Sequence, residues 1–328
     1  MSNIAVKPFS EHETNRLKQA YRESFDKHGL RYLRTQPGNC VLPTAYERFK
    51  AHFATFNLRK DDVYIRTFPK NGTTWTAELV WNVMNNVDLD KAKAISLLKR
   101  VPFIESPVLQ DAVNDALPPS DIHEIKLMET MQSPRILKTH LPLYLLPTGL
   151  LNECKVVSCL RNPKDSIVSF YHHEKLFVSH GYTGDFATYF DLFMDEMILY
   201  SPYFNYIVDM WEKRHHPNMC ILFFEDMKED LAGTINKVST FLERNLTNKQ
   251  SLQLEDHLSF RKMKNNNAVN FSQHREIVST KTNAEEKCFM RKGQVGDWKN
   301  YFTPEMNKRM DEAIEKHFTP IGLHFRYE

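Results

Sequence analysis

Lys70, Gly72, Thr73 and Thr74 fall in the stretch 65-IRTFPKNGTTWTAELVW-81, between a short apolar run and an apolar-periodic one. Those residue types in that order can bind a phosphate. Lys70 supplies a point charge, Gly72 permits close approach or a positive φ, and the threonines can cap the following helix and donate hydroxyls. Trp75 comes next and could stack on a ring attached to the phosphate. The stretch is not G-x-x-x-x-G-K-[ST], because Lys70 precedes its glycine, and neither a Lys-Ser/Thr pair for Mg²⁺ nor a clear acidic metal partner is evident. That points to a nucleotide whose charge is met by lysine, arginine and helix termini. An ordinary strand–turn–helix with an N-cap is the structural alternative.

Two other stretches supply such groups. In 158-SCLRNPKDSIVSFYHHEKL-176, Arg161 leaves an apolar run and Ser169 lies on the helix that follows. In 289-FMRKGQVGDWKNYF-302, Arg291 and Lys292 adjoin Gly293, so cations and backbone amides could converge on one phosphate. These stretches are far apart along the chain, and a shared strand-end geometry is what would bring them together.

The surrounding pattern provides that geometry. Residues 62–67, 135–138, 155–160 and 219–224 read as short apolar strands; 73–86, 162–176, 190–214 and 230–244 read as helices. Apolar β-rich runs without strict alternation, separated by helices, predict one α/β domain over 1–328 with a central, mostly parallel sheet flanked by helices. Its phosphate-binding turn would be P-loop-like and would leave the carboxyl end of a strand. The zones 31–60, 106–134 and 247–297 show no long periodic face. The last is rich in Asn, Lys and Gly, which fits disorder or a mobile region over a bound anion.

Composition narrows the classes. The chain has 328 residues, 41% hydrophobic and 26% charged, with 43 basic against 41 acidic residues and a formal charge of +2. That balance gives no argument for nucleic acid or a membrane as the main partner, but it allows a local basic pocket. The 22 Phe and 13 Tyr leave room for an aromatic-lined site beside the core. The amino terminus has no apolar signal region and no transmembrane run follows, so a cytoplasmic location is expected. Cys40, Cys154, Cys159, Cys220 and Cys288 form no metal-ligand pair and read as free thiols, and no metal site is expected.

Four motifs in one order carry a resemblance. Pro69 to Trp75 is similar to P-K-[SA]-G-T-T-W, Lys138 to Pro142 matches K-T-H-L-P, Arg161 to His172 matches R-N-x-K-D-x-x-x-S-x-Y-H, and Arg291 to Thr303 matches R-K-G-x-x-G-D-W-K-x-x-F-T. Together they resemble the cytosolic sulfotransferases, which move a sulfuryl group from 3′-phosphoadenosine-5′-phosphosulfate (PAPS) to a hydroxyl or amine and leave PAP. An insect-type member related to retinol dehydratase is one form of that resemblance.

The resemblance implies roles. Lys70, Asn71, Gly72, Thr73 and Thr74 would hold the 5′-phosphate and the transferring group, and Arg161, Ser169, Arg291, Lys292 and Gly293 the 3′-phosphate. Trp75 would stack on adenine, with Phe224, Phe260, Met263, Phe289 and Met290 around it. His140 would be the general base, with Lys138 and Lys70 stabilising the transferring and leaving oxygens. Phe103, Ile104 and Ser106 in 101-VPFIES-106, with His140 and His173, would meet a small lipophilic hydroxyl-bearing acceptor such as a phenol, steroid or retinoid-like alcohol.

Departures from the family pattern are few. Asn71 replaces a small residue beside the donor, Phe224 replaces a tyrosine, and Leu258 replaces a threonine. The family's dimer motif K-x-x-x-T-V-x-x-x-E keeps Lys299 and Thr303 but has Pro304 and Lys308, so a homodimer would use an atypical edge. Two other classes remain: a P-loop kinase or NTPase, which needs acidic metal partners, and a non-catalytic nucleotide or lipophile-binding protein retaining the fold.

Overall fold

The computed structural model describes residues 4–22, 31–111, 123–177, 180–271 and 288–328. Its centre is a four-stranded parallel sheet of β4 (Val63–Arg66), β5 (Ile136–Thr139), β6 (Lys155–Leu160) and β7 (Met219–Phe223), in the order β5-β4-β6-β7. The expected α/β architecture is thus observed. Each strand is short and apolar because both faces are covered. Tyr64, Leu137 and Val156 pack on one face with Ile167, Phe170 and Ile207; Ile65, Ile136 and Val157 pack on the other with Leu79, Val83 and Val238.

Register fixes what the carboxyl edge presents. Arg66 is opposite Thr139 and Leu160 is opposite Phe223, so the chain leaves adjacent strands at Thr67, His140, Arg161 and Phe224. Three of the four sequence motifs therefore emerge side by side. The next two strands in the chain, β5 and β6, lie on opposite sides of β4, so the strand order switches there, which is where open α/β sheets form their crevice.

Three elements differ from the sequence reading. Residues 31–60 are not irregular: β2 (Tyr32–Gln36) pairs antiparallel with β1 (Ala5–Pro8) and β3 (Val41–Pro43), and a helix follows at Tyr46–Thr55. The strands are too short for a periodic signal. The stretch 190–214 is two helices, Phe186–Met194 and Tyr203–Glu212. Glu196, just past the first helix, takes a left-handed φ of 55°, and Pro202, which lacks a donor, stands at the N-cap of the second, so one helix does not continue into the other. The zone 247–297 is partly helical: Thr247 and Gln250 form a capping box, then Asn248–Leu258 and Phe260–Lys264 follow, with Leu254, Leu258 and Met263 buried. The remainder of the expected mobile region includes 272–287, which lie outside the described residues. No helix among the described residues is long and apolar enough to cross a membrane.

Candidate active site

The turn after β4 begins with a constrained backbone. Lys70 has φ of 67° and Gly72 has φ of 98°, both in the left-handed region. For a lysine that conformation is strained and persists only where its surroundings enforce it. Gly72 is also crowded: an added Cβ would lie 3.1 Å from Cys159 Sγ and 3.3 Å from a Phe224 ring carbon. The helix Thr73–Met84 starts directly after it with no side chain capping its first amides. Those donors, at the positive end of the helix dipole, form an anion site on the cavity wall.

Lys70 is half-buried and Lys138 is buried, and both line the cavity. Burial first, and then Arg161, Arg291 and Lys138, pull the Lys70 ammonium down to about 7. Burial likewise lowers Lys138 to about 8, against a raising effect from Glu105. The Lys70 Nζ rests 4.1 Å from the centre of the Phe289 ring. Cations crowded in this way favour an anion, which would restore both to full charge.

His140 follows β5 and points into the same space. Its Nδ1 lies 2.7 Å from the Thr67 carbonyl oxygen. A carbonyl only accepts, so Nδ1 carries the proton and Nε2 keeps its lone pair. Phe103 and Tyr200 pack edge-on against the ring at 5.1 and 5.3 Å. Burial, opposed by the Thr67 bond and reinforced by Lys138 and Lys70, takes the imidazole down to about 3, so it is neutral. The Glu105 Oε1 accepts the His140 backbone N–H at 2.5 Å, and burial raises that carboxyl to about 7.

At the far side, the 291–298 loop is tied to the end of β6. Asp165 accepts from the Gly296 and Trp298 amides at 2.8 and 2.9 Å. Arg161 donates to the Lys70 and Gln294 carbonyls at 3.3 and 3.1 Å and stacks 4.3 Å over Phe224. Asp297 pairs with Arg291 at 2.6 Å and Lys292 at 2.7 Å. Burial opposes ionisation of Asp297, but hydrogen bonds from Lys292 and Arg291 outweigh it and hold the carboxyl at about 2. Gly293 has φ of 60°, and a Cβ there would sit 2.3 Å from the Phe260 ring.

These elements enclose a cavity of about 380 Å³. Lys70, Gly72, Thr73, Thr74, Trp75, Arg161 and Ser169 line it, as do Phe224, Phe260, Met263, Phe289, Met290, Arg291, Lys292 and Gly293. So do Lys138, His140, Phe103, Ser106 and His173. Two sequence candidates are placed elsewhere. Asn71 is fully buried behind the turn, its Oδ1 accepting from Ser166 Oγ at 2.9 Å. Ile104 packs in the core: Phe103 is bridged to Lys138, and the chain turns directly after it, with the Ser106 amide donating to the Phe103 carbonyl at 3.1 Å.

Sequence reasoning missed Glu105, Asp165, Asp297, Phe177 and His180. The two aspartates lay inside recognised motifs, where buried acids next to cations signal supporting roles. Phe177 and His180 lie beyond the end of the helix at Leu176, where no periodic signal marks which way a side chain faces. Among the described residues no group of three or more His, Cys, Asp or Glu side chains is placed to hold a metal ion.

A parallel sheet whose carboxyl edge presents an uncapped helix start, paired lysines and a neutral histidine is the frame of a sulfotransferase. The chain belongs to that family: its sulfotransferase domain model matches residues 60–322, and the chain is accordingly a PAPS-dependent sulfotransferase of the kind that transfers to a hydroxyl acceptor. Dog sulfotransferase 1B1 is 36% identical over 274 residues, covering 83% of this chain and 88% of its own. Human sulfotransferase 1E1 is 35% identical over 310 residues, covering 94% and 98%. A retinol dehydratase solved with retinol and PAP superposes with a TM-score of 0.88 at 29% identity, covering 99% of both chains. A mouse sulfotransferase solved with PAP superposes at 0.68 with 25% identity, covering 87% of this chain and 94% of that one.

Proposed function

We propose that this chain transfers the sulfuryl group of PAPS directly to the hydroxyl of a small lipophilic alcohol or phenol, with His140 as general base. PAPS supplies a sulfuryl group already joined to a phosphate leaving group. His140 Nε2 takes the acceptor's hydroxyl proton as the acceptor oxygen bonds to sulfur. Lys138 meets the sulfuryl oxygens, and Lys70 receives the charge that develops on the bridging oxygen as its bond to sulfur breaks. The products are a sulfate ester and PAP, with the proton on His140.

The residues fit the nucleotide. Buried cations lie at an open helix start, and Trp75 Nε1 and Arg161 Nε are buried on the cavity wall with no partner among the described residues. Arg161, Ser169, Arg291, Lys292 and the Gly293 amide would hold the 3′-phosphate, and Trp75, Phe224 and Phe260 the adenine. For the acceptor, Phe103, Phe177, Phe271 and Leu109 give the wall an apolar character. The retinol dehydratase has been solved with retinol and with androsterone, which supports a retinoid- or steroid-like alcohol alongside phenols.

The observation that carries the reading is the 2.7 Å contact of His140 Nδ1 with the Thr67 carbonyl, which leaves Nε2 as the basic nitrogen. The test is transfer of labelled sulfate from PAPS to a panel of phenols, steroids, retinol and amines. Product that disappears with His140→Ala supports the reading. Tight PAP binding without product from any member would refute this acceptor class, and failure to bind PAP would refute the donor site.

A further inference from the structure

One polar side chain in the acceptor wall is not used by the reaction. His173 stands in the last turn of the helix Pro163–Leu176, and it lines the cavity with Phe177 and His180. Its ring centre lies 4.7 Å from Phe177, 5.2 Å from His180 and 5.9 Å from Phe289. The His180 Nδ1–H donates to the Glu174 carboxylate at 2.9 Å, which fixes that ring in place. His173 is different: its Nδ1 is closed off from solvent and has no hydrogen-bond partner among the described residues. Burial, followed by the charges of Lys70, His180, His140 and Lys138, lowers its basicity well below the ordinary value and keeps it neutral.

A neutral imidazole carries one N–H and one lone pair. With Nδ1 sealed among rings, any polar contact this side chain makes runs through Nε2. Buried N–H groups without a partner are rarer than buried acceptors without one, so the sealed nitrogen keeps the lone pair and Nε2 carries the proton. A residue of the cavity lining thus carries a hydrogen-bond donor among aromatic rings, separate from His140.

We propose that His173 determines specificity by donating, through Nε2, to a second oxygen on the acceptor, a hydroxyl or carbonyl distinct from the hydroxyl that receives the sulfuryl group. This rests on the sulfuryl-transfer reading of the same cavity. An acceptor that presents only hydrocarbon at this point strips water from the imidazole and returns no hydrogen bond, so it is disfavoured.

The test compares 2-naphthol with a series of acetyl-2-naphthols that differ in the position of the ketone. Binding to the PAP-loaded protein is measured by calorimetry, for the wild type, His173→Phe and His173→Gln. At least one ketone binds the wild type about tenfold tighter than 2-naphthol, the worth of one hydrogen bond. His173→Phe abolishes that preference and tightens 2-naphthol, while His173→Gln, which retains a donor, keeps part of it. If no ketone exceeds 2-naphthol on the wild type, or if the preference survives His173→Phe, the proposal is overturned. Sulfate transfer is followed separately. A binding preference that depends on His173 without any transfer supports this assignment and counts against the catalytic reading alone.

Discussion

The imidazole of His140, just past β5, is oriented by the backbone of Thr67, just past the neighbouring β4, through a 2.7 Å contact between Nδ1 and the carbonyl oxygen. Because Thr67 also begins the turn that carries Lys70, the proposed base and the cation proposed to serve the leaving group are tied to one stretch of chain. Removing the imidazole should therefore affect proton transfer and leave the donor site intact. His140→Ala is expected to lower kcat by about 10²–10⁴-fold with PAP affinity within a few-fold of wild type. Steady-state rates alongside PAP titration check this, and a parallel loss of PAP binding would show that the histidine acts on the donor site instead.

Binding of PAP should be coupled to proton uptake. Burial, with Arg161, Arg291 and Lys138, lowers Lys70 to about 7, and burial lowers Lys138 to about 8. A bound anion raises both, so each takes up a proton where the free site is neutral and the complex is charged. Affinity is therefore greatest below about pH 7 and falls as the pH rises toward about 9. Calorimetry at pH 8 in buffers of different ionisation enthalpy should register net uptake, and Lys70→Met should remove most of it. Affinity that is flat across this window would exclude the coupling.

The parts that were legible in the sequence are those with a strong local cause. Runs such as KVVSCL and MCILF are buried on both faces and read as strands without tertiary information. The turn at Lys70 was legible because glycine, threonines and a helix start have one shared use. Asn71 and Ile104 were misplaced for a different reason: a motif gives a residue's position in the chain, and the facing of its side chain is set by neighbours. Ser166, which bonds to Asn71, and Lys138, which bridges Phe103, both lie far away in sequence. The N-terminal sheet was illegible because β1 and β3 pair only through β2, over strands too brief to show alternation.

Glu105 should make stability depend on pH. Its carboxyl is 1% exposed and burial raises it to about 7, well above an unfolded glutamate. The folded protein thus holds this proton where the unfolded chain has lost it, so stability falls as the pH rises from about 4.5 to about 7. Glu105→Gln keeps an oxygen for the His140 amide and removes the ionisation. The variant should exceed wild type in thermal stability at about pH 8, by at most about 3 kcal/mol at 1.36 kcal/mol per pKa unit, with the gain shrinking toward about pH 5. Glu105→Ala, which leaves the amide without its acceptor, should be less stable than wild type at both. Melting curves of the three proteins at the two pH values decide the point.

Gly293 offers the sharpest separation of site from fold. Its φ of 60° is open to glycine at little cost, and a Cβ there would meet Phe260 ring carbons at 2.3 and 2.4 Å. Phe260 begins its own helix and lines the cavity, so it can yield only by moving the wall. Gly293→Ala should therefore displace the loop that carries Arg291 and Lys292 while the sheet remains as it is. We expect PAP affinity to fall about tenfold or more, equal to at least about 1.4 kcal/mol, with far-ultraviolet circular dichroism unchanged. If Gly293→Ala costs much less affinity in a Phe260→Ala background than in the wild type, the collision is the cause. If it costs the same in both backgrounds, the loss arises from the backbone conformation and not from the ring.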